Sequence, residues 1–335
     1  MSNALLITET CDVIPTVPEA LKRRIEGSPK TADAHRELLR DTAAMHVVEH
    51  RGTGSSTKLR NEFTVAAWNL ERCLDPEGSA ALLLAQKPDI VLLSEMDSGM
   101  ARTGQRHTTS DVAALLDMEF AYGVEFFELG LGSPIEQKFA TYDFNRSGFD
   151  GNAVLSSVSL DRVCMIRLDD HGQWFCGLDG AHADQPRIGG RMAVAAVVES
   201  SAGPICFVST HLESTGIAWW RLAQMERLMS AIDAFAPDMP VIVGGDLNTG
   251  NNIPGGDWRD ETLFAAAERR GYSCSNNADG LTTRTSRISS YPKARLDWFA
   301  HRDCEVRGAH IIEALDAETV PLSDHELIVG QFSIA

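Results

Sequence analysis

Val241-Ile-Val-Gly-Gly-Asp-Leu-Asn-Thr249 reads as a buried strand that runs out into a polar turn. Val241, Ile242 and Val243 form a short β-branched run after Pro240, the composition of a strand covered on both faces. Gly244 and Gly245 let the backbone turn tightly or approach a neighbour closely. Asp246 and Asn248 follow two residues apart, a spacing that puts both side chains on one face of a strand. A carboxylate and an amide at the mouth of a buried strand suit a hard cation and an activated water. Asp, Asn and Gly are also ordinary turn residues, so the weight of the stretch depends on what the chain sets beside it.

The pattern recurs on either side. Phe63-Thr-Val-Ala-Ala-Trp-Asn-Leu70 is an apolar strand ending in Asn69 and Glu71, and Asp89-Ile-Val-Leu-Leu-Ser-Glu95 ends in a carboxylate. Gly151-Asn-Ala-Val-Leu-Ser156, Pro204 to His211, Leu296-Asp-Trp-Phe-Ala300 and Ser323-Asp-His-Glu-Leu-Ile-Val329 add Asn152, His211, Asp297, Asp324 and His325. Each has a bland reading: a turn cap for Asn69, a surface ion pair for Glu95, a satisfied core histidine for His211, an edge charge for Asp297. Together they are the donors of one divalent-metal site with acid and base groups.

Helices are expected over Pro76–Gln86, Ser110–Leu116, Ile217–Phe235 and Glu261–Arg270. Leu222, Met225, Leu228, Met229 and Ile232 make an apolar stripe on the third. Several neighbouring strands have no helix between them, which predicts mixed sheets with outer helices, not a purely parallel sheet. Residues 1–60 read differently. Two polar amphipathic helices, Val17–Glu26 and Thr31–Arg51, are followed by Gly52-Thr-Gly-Ser-Ser-Thr57. They predict an N-terminal helical extension and linker ahead of a catalytic domain over 62–335.

Composition narrows the function. The chain has 335 residues, of which 44% are apolar, enough for a sizeable core. No apolar run approaches a membrane span, and the first residues lack the basic and apolar regions of a signal peptide. The seven cysteines are scattered without a CxxC pair, which argues for a reducing compartment and a cytoplasmic location. The net charge of −17 repels a nucleic-acid backbone but leaves room for a small phosphorylated substrate.

Trp68-Asn69, Ser94-Glu95, Gly151 to Ser156, Ser209-Thr-His-Leu212, Gly245-Asp-Leu-Asn248, Arg295-Leu-Asp-Trp298 and Ser323-Asp-His325 resemble, in this order, the motifs of the endonuclease/exonuclease/phosphatase superfamily. The resemblance covers 62–335 and is closest to uncharacterised bacterial members. It implies a four-layer α/β sandwich of two mixed β-sheets flanked by helices, with the site at one end of the sheets. It implies Mg²⁺, with Mn²⁺ as the alternative, held by Glu95 and Asn69, with Asp324 and Glu71 as further contacts, a salt bridge to a nearby arginine being the other reading of Glu71. Asp246 would orient or deprotonate the attacking water, and Asn248 would hold water or phosphate. His325, held in tautomer by Asp297, would donate to a phosphoryl oxygen. His211 would contact phosphate or act as general acid, supported by Asn152.

Arg102, Arg106, Arg187 and Arg191 are candidate substrate contacts, because arginine forks match phosphate. Trp219 and Trp220 read as core aromatics at a helix start. Arg284, Arg287, Lys293 and Arg295 form one local basic cluster that could attract a polyanion. The expected activity is a metal-dependent hydrolysis of a phosphodiester or phosphomonoester of a small or lipid-derived substrate. The alternatives are a nuclease on DNA or RNA, favoured by that cluster, and a non-catalytic binding protein of the same fold.

Overall fold

The apolar runs pair into two mixed sheets in a computed structural model that describes residues 5–177, 187–275, 277–290 and 293–334. The first sheet follows the order Leu5–Ile7, Leu160–Arg167, Met192–Ser200, Gly203–His211, Val241–Asp246 and Asp297–Arg302. The second runs Cys304–Ile312, Leu327–Ile334, Glu62–Arg72, Ile90–Ser98, Phe149–Ser156, Glu119–Glu128, Val48–Arg51 and Thr10–Cys11. Arg187–Gly189 adds to it beside Glu119–Glu128, in a stretch whose sequence predicts only a polar loop. Most pairs are antiparallel, but Glu62–Arg72 runs parallel to Ile90–Ser98, and Gly203–His211 parallel to Val241–Asp246.

Strand alternation sorts the side chains into layers. Ile242 points inward to Phe207 and Phe299 between the sheets, while Val241 and Val243 point outward to Leu228 and Met229 of the helix Ala218–Phe235. Across the sandwich, the helices Pro76–Gln86 and Thr108–Leu116 cover the second sheet through Leu83 and Val112. Each such side chain, removed from water, stabilises the fold by roughly 1.5–3 kcal/mol. No helix among the described residues is long and apolar enough to cross a membrane.

The N-terminal segment does more than the sequence implies. Its two helices form over Glu19–Gly27 and Ala32–Asp41, the second capped by the Thr31 hydroxyl, which accepts from Ala34 N at 3.3 Å. The helix expected to reach Arg51 stops ten residues earlier, at Asp41, because the β-branched Val48 opens a strand that pairs with Phe120–Tyr122. Leu5–Ile7 joins the edge of the first sheet and Thr10–Cys11 the edge of the second. On the opposite side the chain again changes sheets at Asp303, between Asp297–Arg302 and Cys304–Ile312. Both open sides of the sandwich are therefore laced by a short covalent crossing.

Register places the polar ends. His211 lies opposite Asp246, and Asp246 opposite Asp297, so three adjacent strands deliver one functional group each at the same level. Gly245 makes this possible. Its φ is +145°, and a Cβ there would stand 2.0 Å from the Thr210 carbonyl oxygen. Gly245→Ala is expected to lower the unfolding free energy by about 2–4 kcal/mol in urea denaturation. An unchanged midpoint would show that the strands separate freely and that the register is not held by this contact.

Candidate active site

Three strands of the second sheet, Glu62–Arg72, Ile90–Ser98 and Glu119–Glu128, break register at the end of the sandwich where those polar groups emerge. The breaks fall between Asn69 and Arg72, between Leu93 and Met96, and between Val124 and Phe126. Glu71, Arg72 and Cys73 take φ values of 44°, 78° and 55°, and Glu95 takes 56°, all in the left-handed region that costs non-glycine residues free energy. A regular strand would send Glu71 and Arg72 to opposite faces; the bulge turns both into one cavity. Glu95 and Glu125 enter the same cavity from the next bulges.

The cavity measures about 590 Å³ and lies between the ends of the two sheets. On one wall His325 Nδ1 is 2.8 Å from Asp297 Oδ2, and His325 Nε2 is 3.5 Å from Asp246 Oδ2. Asp246 Oδ1 accepts from the backbone N–H of Asn248 at 2.8 Å. His211 Nε2 also stands 3.5 Å from Asp246 Oδ2. Arg191 Nη1 lies 2.9 and 3.0 Å from the two ring nitrogens of His211 and donates to Glu125 Oε1 at 2.6 Å.

The two histidines are held in opposite states. Burial alone would lower the pKa of His325, but Asp297, Asp246 and Asp324 raise it well above the usual imidazole range. Burial and the Arg191 guanidinium push His211 well below that range, against the pull of Glu95. Asp246 is pushed up to about 7, chiefly by burial and by Asp297, with His325 opposing. Burial would raise Glu95, but Arg72 and His211 keep its carboxyl low.

The donor set fits a hard divalent cation. Glu71 is pushed up to about 7 by burial and by the charge of Asp324, the sign of carboxylates that repel one another until a cation joins them. Glu95 faces the same space. Asp246, Asp297 and His325 also offer atoms within 4.8 Å of one another, but the imidazolium bound to Asp297 has no lone pair for a metal, so that triad is a hydrogen-bonded device.

Of the residues singled out in the sequence, Glu71, Glu95, Arg187, Arg191, His211, Asp246, Asn248, Asp324 and His325 line the cavity. Asp297 stands behind His325. Others depart from expectation. Asn69 turns its amide nitrogen to Glu95 Oε1 and Asp246 Oδ2, at 3.1 and 3.2 Å, while its oxygen accepts from Glu71 N. In this arrangement it orients the two carboxylates. Glu71 pairs with no arginine among the described residues and accepts from the Ser286 hydroxyl at 2.7 Å.

Asn152 is fully buried deeper between the sheets, donating to the Met192 carbonyl, because it shares a strand face with core Val154. Arg102 is turned inward, bidentate on Asp97, and Arg106 is spent on Glu77 and Asp111 at the surface. Neither lines the cavity. Trp219 is 63% exposed, not core, while Trp220 rests on His171. The basic cluster is dispersed: Arg284 pairs with Glu326, Arg287 lies over Phe139, and Arg295 is stacked on Trp298. Gln185 and Pro186, in the loop before Arg187, lie outside the described residues.

Arg72, Glu125, Glu136 and Asp150 line the cavity without having been singled out. The signal was present for Glu125: a charge set among Val124, Phe126 and Phe127 in an apolar run is seldom at the surface.

The sequence pattern of the endonuclease/exonuclease/phosphatase family matches residues 66–325, and the chain belongs to that family. Among curated protein sequences none matches. Among solved structures, an endonuclease/exonuclease/phosphatase protein from Beutenbergia cavernae superposes with a TM-score of 0.58 at 17% identity, over 82% of this chain and 72% of that one. The human Nocturnin catalytic domain, solved with a bound sulfate, gives 0.55 at 20% identity, over 83% of this chain and 97% of that one. A humanised D. rerio TDP2 gives 0.50 at 17% identity, over 82% and 99%. At these identities the likeness is one of fold.

The electrostatics predict a split that ¹⁵N NMR can read. At about pH 7.5, His325 should carry protons on both ring nitrogens and His211 on one. Asp297→Asn should lower the His325 midpoint by about 1–3 pH units. A raised folded pKa stabilises fully below the unfolded value and is lost as pH rises through the folded one. The stability deficit of Asp297→Asn should therefore be largest below about pH 6.5 and shrink in alkali. Equal protonation of the two rings would contradict this account.

Proposed function

We propose that the chain is a divalent-metal-dependent phosphoesterase acting on a small phosphate ester, a phosphodiester or a phosphomonoester. The cavity carries the reading. Seven carboxylates line it (Glu71, Glu95, Glu125, Glu136, Asp150, Asp246 and Asp324) against Arg72, Arg187, Arg191 and two histidines. A concave, acidic pocket of this size takes a small molecule with a cation; a duplex binder presents an open basic surface.

Glu95, Glu71 and Asp324 would hold Mg²⁺ or Mn²⁺ through carboxylate oxygens. A cation there would neutralise phosphoryl oxygens and polarise the ester. Asp246, with a pKa near neutrality, accepts the proton of a water as that water attacks phosphorus in line with the leaving oxygen. Asn248 fixes the carboxylate through its backbone N–H, and Asn69 through its amide. The His325 imidazolium, held by Asp297, donates to a phosphoryl oxygen whose charge grows in the transition state. Neutral His211 faces the same space as a hydrogen-bond partner of the phosphate, braced by Arg191.

The test is hydrolysis of bis-p-nitrophenyl phosphate, p-nitrophenyl phosphate and a plasmid, with Mg²⁺, Mn²⁺ or EDTA. The expected result is metal-dependent cleavage of a small ester with the plasmid intact, and a loss of roughly 10²–10⁴-fold in kcat for Asp246→Asn. Glu95→Gln should also weaken Mn²⁺ binding measured by calorimetry. Plasmid nicking abolished by EDTA and by Asp246→Asn would replace this reading with a nuclease, and no metal-dependent turnover of any ester would reject it.

A further inference from the structure

The arginine that the fold buries organises two that it leaves open. Arg102 Nη1 donates to Glu128 Oε2 and to Glu136 Oε1, both at 3.1 Å, while its other edge is held by Asp97. Each of those glutamates also meets a cavity arginine, Glu136 through a hydrogen bond and Glu128 through an ion pair. Arg72 Nε donates to Glu136 Oε1 at 2.9 Å, and Arg187 Nε lies 3.2 Å from Glu128 Oε1. Arg187 is also braced by rings, its guanidinium carbon 5.2 Å from the Trp174 centroid and 5.6 Å from Phe126.

The outer ends of both guanidiniums are less engaged. Arg72 Nη1 rests on Glu95 and lies 3.6 Å from Asp150 Oδ2, but Nη2 hydrogen-bonds no described residue. Neither Nη atom of Arg187 has a hydrogen-bond partner among the described residues. Both side chains line the cavity. Arg102, Arg72 and Arg187 face Asp97, Glu128 and Glu136, with Glu95 and Asp150 also beside Arg72, so the outer N–H groups are donors on side chains already held in place. The hydrolytic chemistry assigned to Asp246, His325 and Glu95 makes no use of them.

We propose that Arg72 and Arg187 form a second phosphate subsite beside the scissile one, so that the substrate is a phosphoester carrying a further phosphate group. This rests on the phosphoesterase reading and deepens it. Planar N–H edges fixed in advance match a phosphate face and lose little freedom on binding it. Because Arg72 touches Glu95, the second phosphate lies close along the molecule to the one that reacts. Glu95 and Asp150 flank Arg72, so the anion binds best with the cation in place.

The probes are a series of alkane bisphosphonates of increasing chain length and alkyl monophosphonates of matching length, titrated calorimetrically into the Mg²⁺-loaded protein. One bisphosphonate is expected to bind about tenfold or more tighter than its monophosphonate. Arg187→Gln and Arg72→Gln should each erase most of that ratio, with thermal melts confirming the fold. Arg187→Lys, which keeps the stem and the charge without the fork, is the second variant and should lose most of it too. Equal affinity for both classes in the wild type, or a ratio that survives all three substitutions, overturns the subsite. Binding is read without turnover, so a bisphosphonate preference in a protein that cleaves nothing would sink only the phosphoesterase reading. Cleavage of simple esters with no preference would sink only the subsite.

Discussion

Repulsion between buried carboxylates is the constraint to which the active end of this molecule answers. Glu71, Glu95, Glu125, Glu136, Asp150, Asp246 and Asp324 share one cavity, and like charges so close in a poorly solvated space cannot all stay ionised alone. The chain answers in two ways. Arginines are threaded among the acids, with Arg102 behind, Arg72 and Arg191 within, and Arg187 on the aromatic shelf. Where they do not suffice, the proton affinity rises: to about 7 at Glu71, Asp150 and Asp246, and to about 8 at Glu125. Breaking such a pair by removing one partner leaves a buried charge uncompensated, which is why the arginines here cannot be treated as spare surface.

Geometry follows from the same demand. Side chains meant to meet must come from adjacent strands at one height, and alternation would send half of them away. The bulges at Glu71–Arg72, Glu95 and Glu125 defeat alternation locally, the first two at the cost of left-handed backbone at ordinary residues. The facing sheet needs no such device. His211, Asp246 and Asp297 already align through register, because Gly245 lets its strand close on Thr210.

The two kinds of strand end explain what the sequence discloses. Apolar runs and the polar residues that close them mark the strands, so both sheets and the group around Asp246, His325 and Glu95 can be read directly. A bulge carries no comparable signature, and Arg72, next in sequence to Glu71, is expected on the other face. Arg102 shows the converse limit. Its position after the Glu95 strand is right for a substrate contact, but direction depends on Asp97, Glu128 and Glu136, which lie 5, 26 and 34 residues away and meet it only in the folded chain. The N-terminal strands failed to announce themselves for another reason: with three and two residues, they are too short to show a period.

Those two short strands bear on how the chain reaches its final form. Leu5–Ile7 pairs with Met165–Arg167, and Thr10–Cys11 pairs with a strand that itself rests on Glu119–Glu128. During synthesis the first of these segments waits for more than a hundred residues of chain before its partner exists. Contacts of that span form late and set the pace of folding. The lacing on this side therefore waits for the middle of the chain, whereas Leu327–Ile334, beyond the crossing at Asp303, closes on Glu62–Arg72 across a still longer stretch.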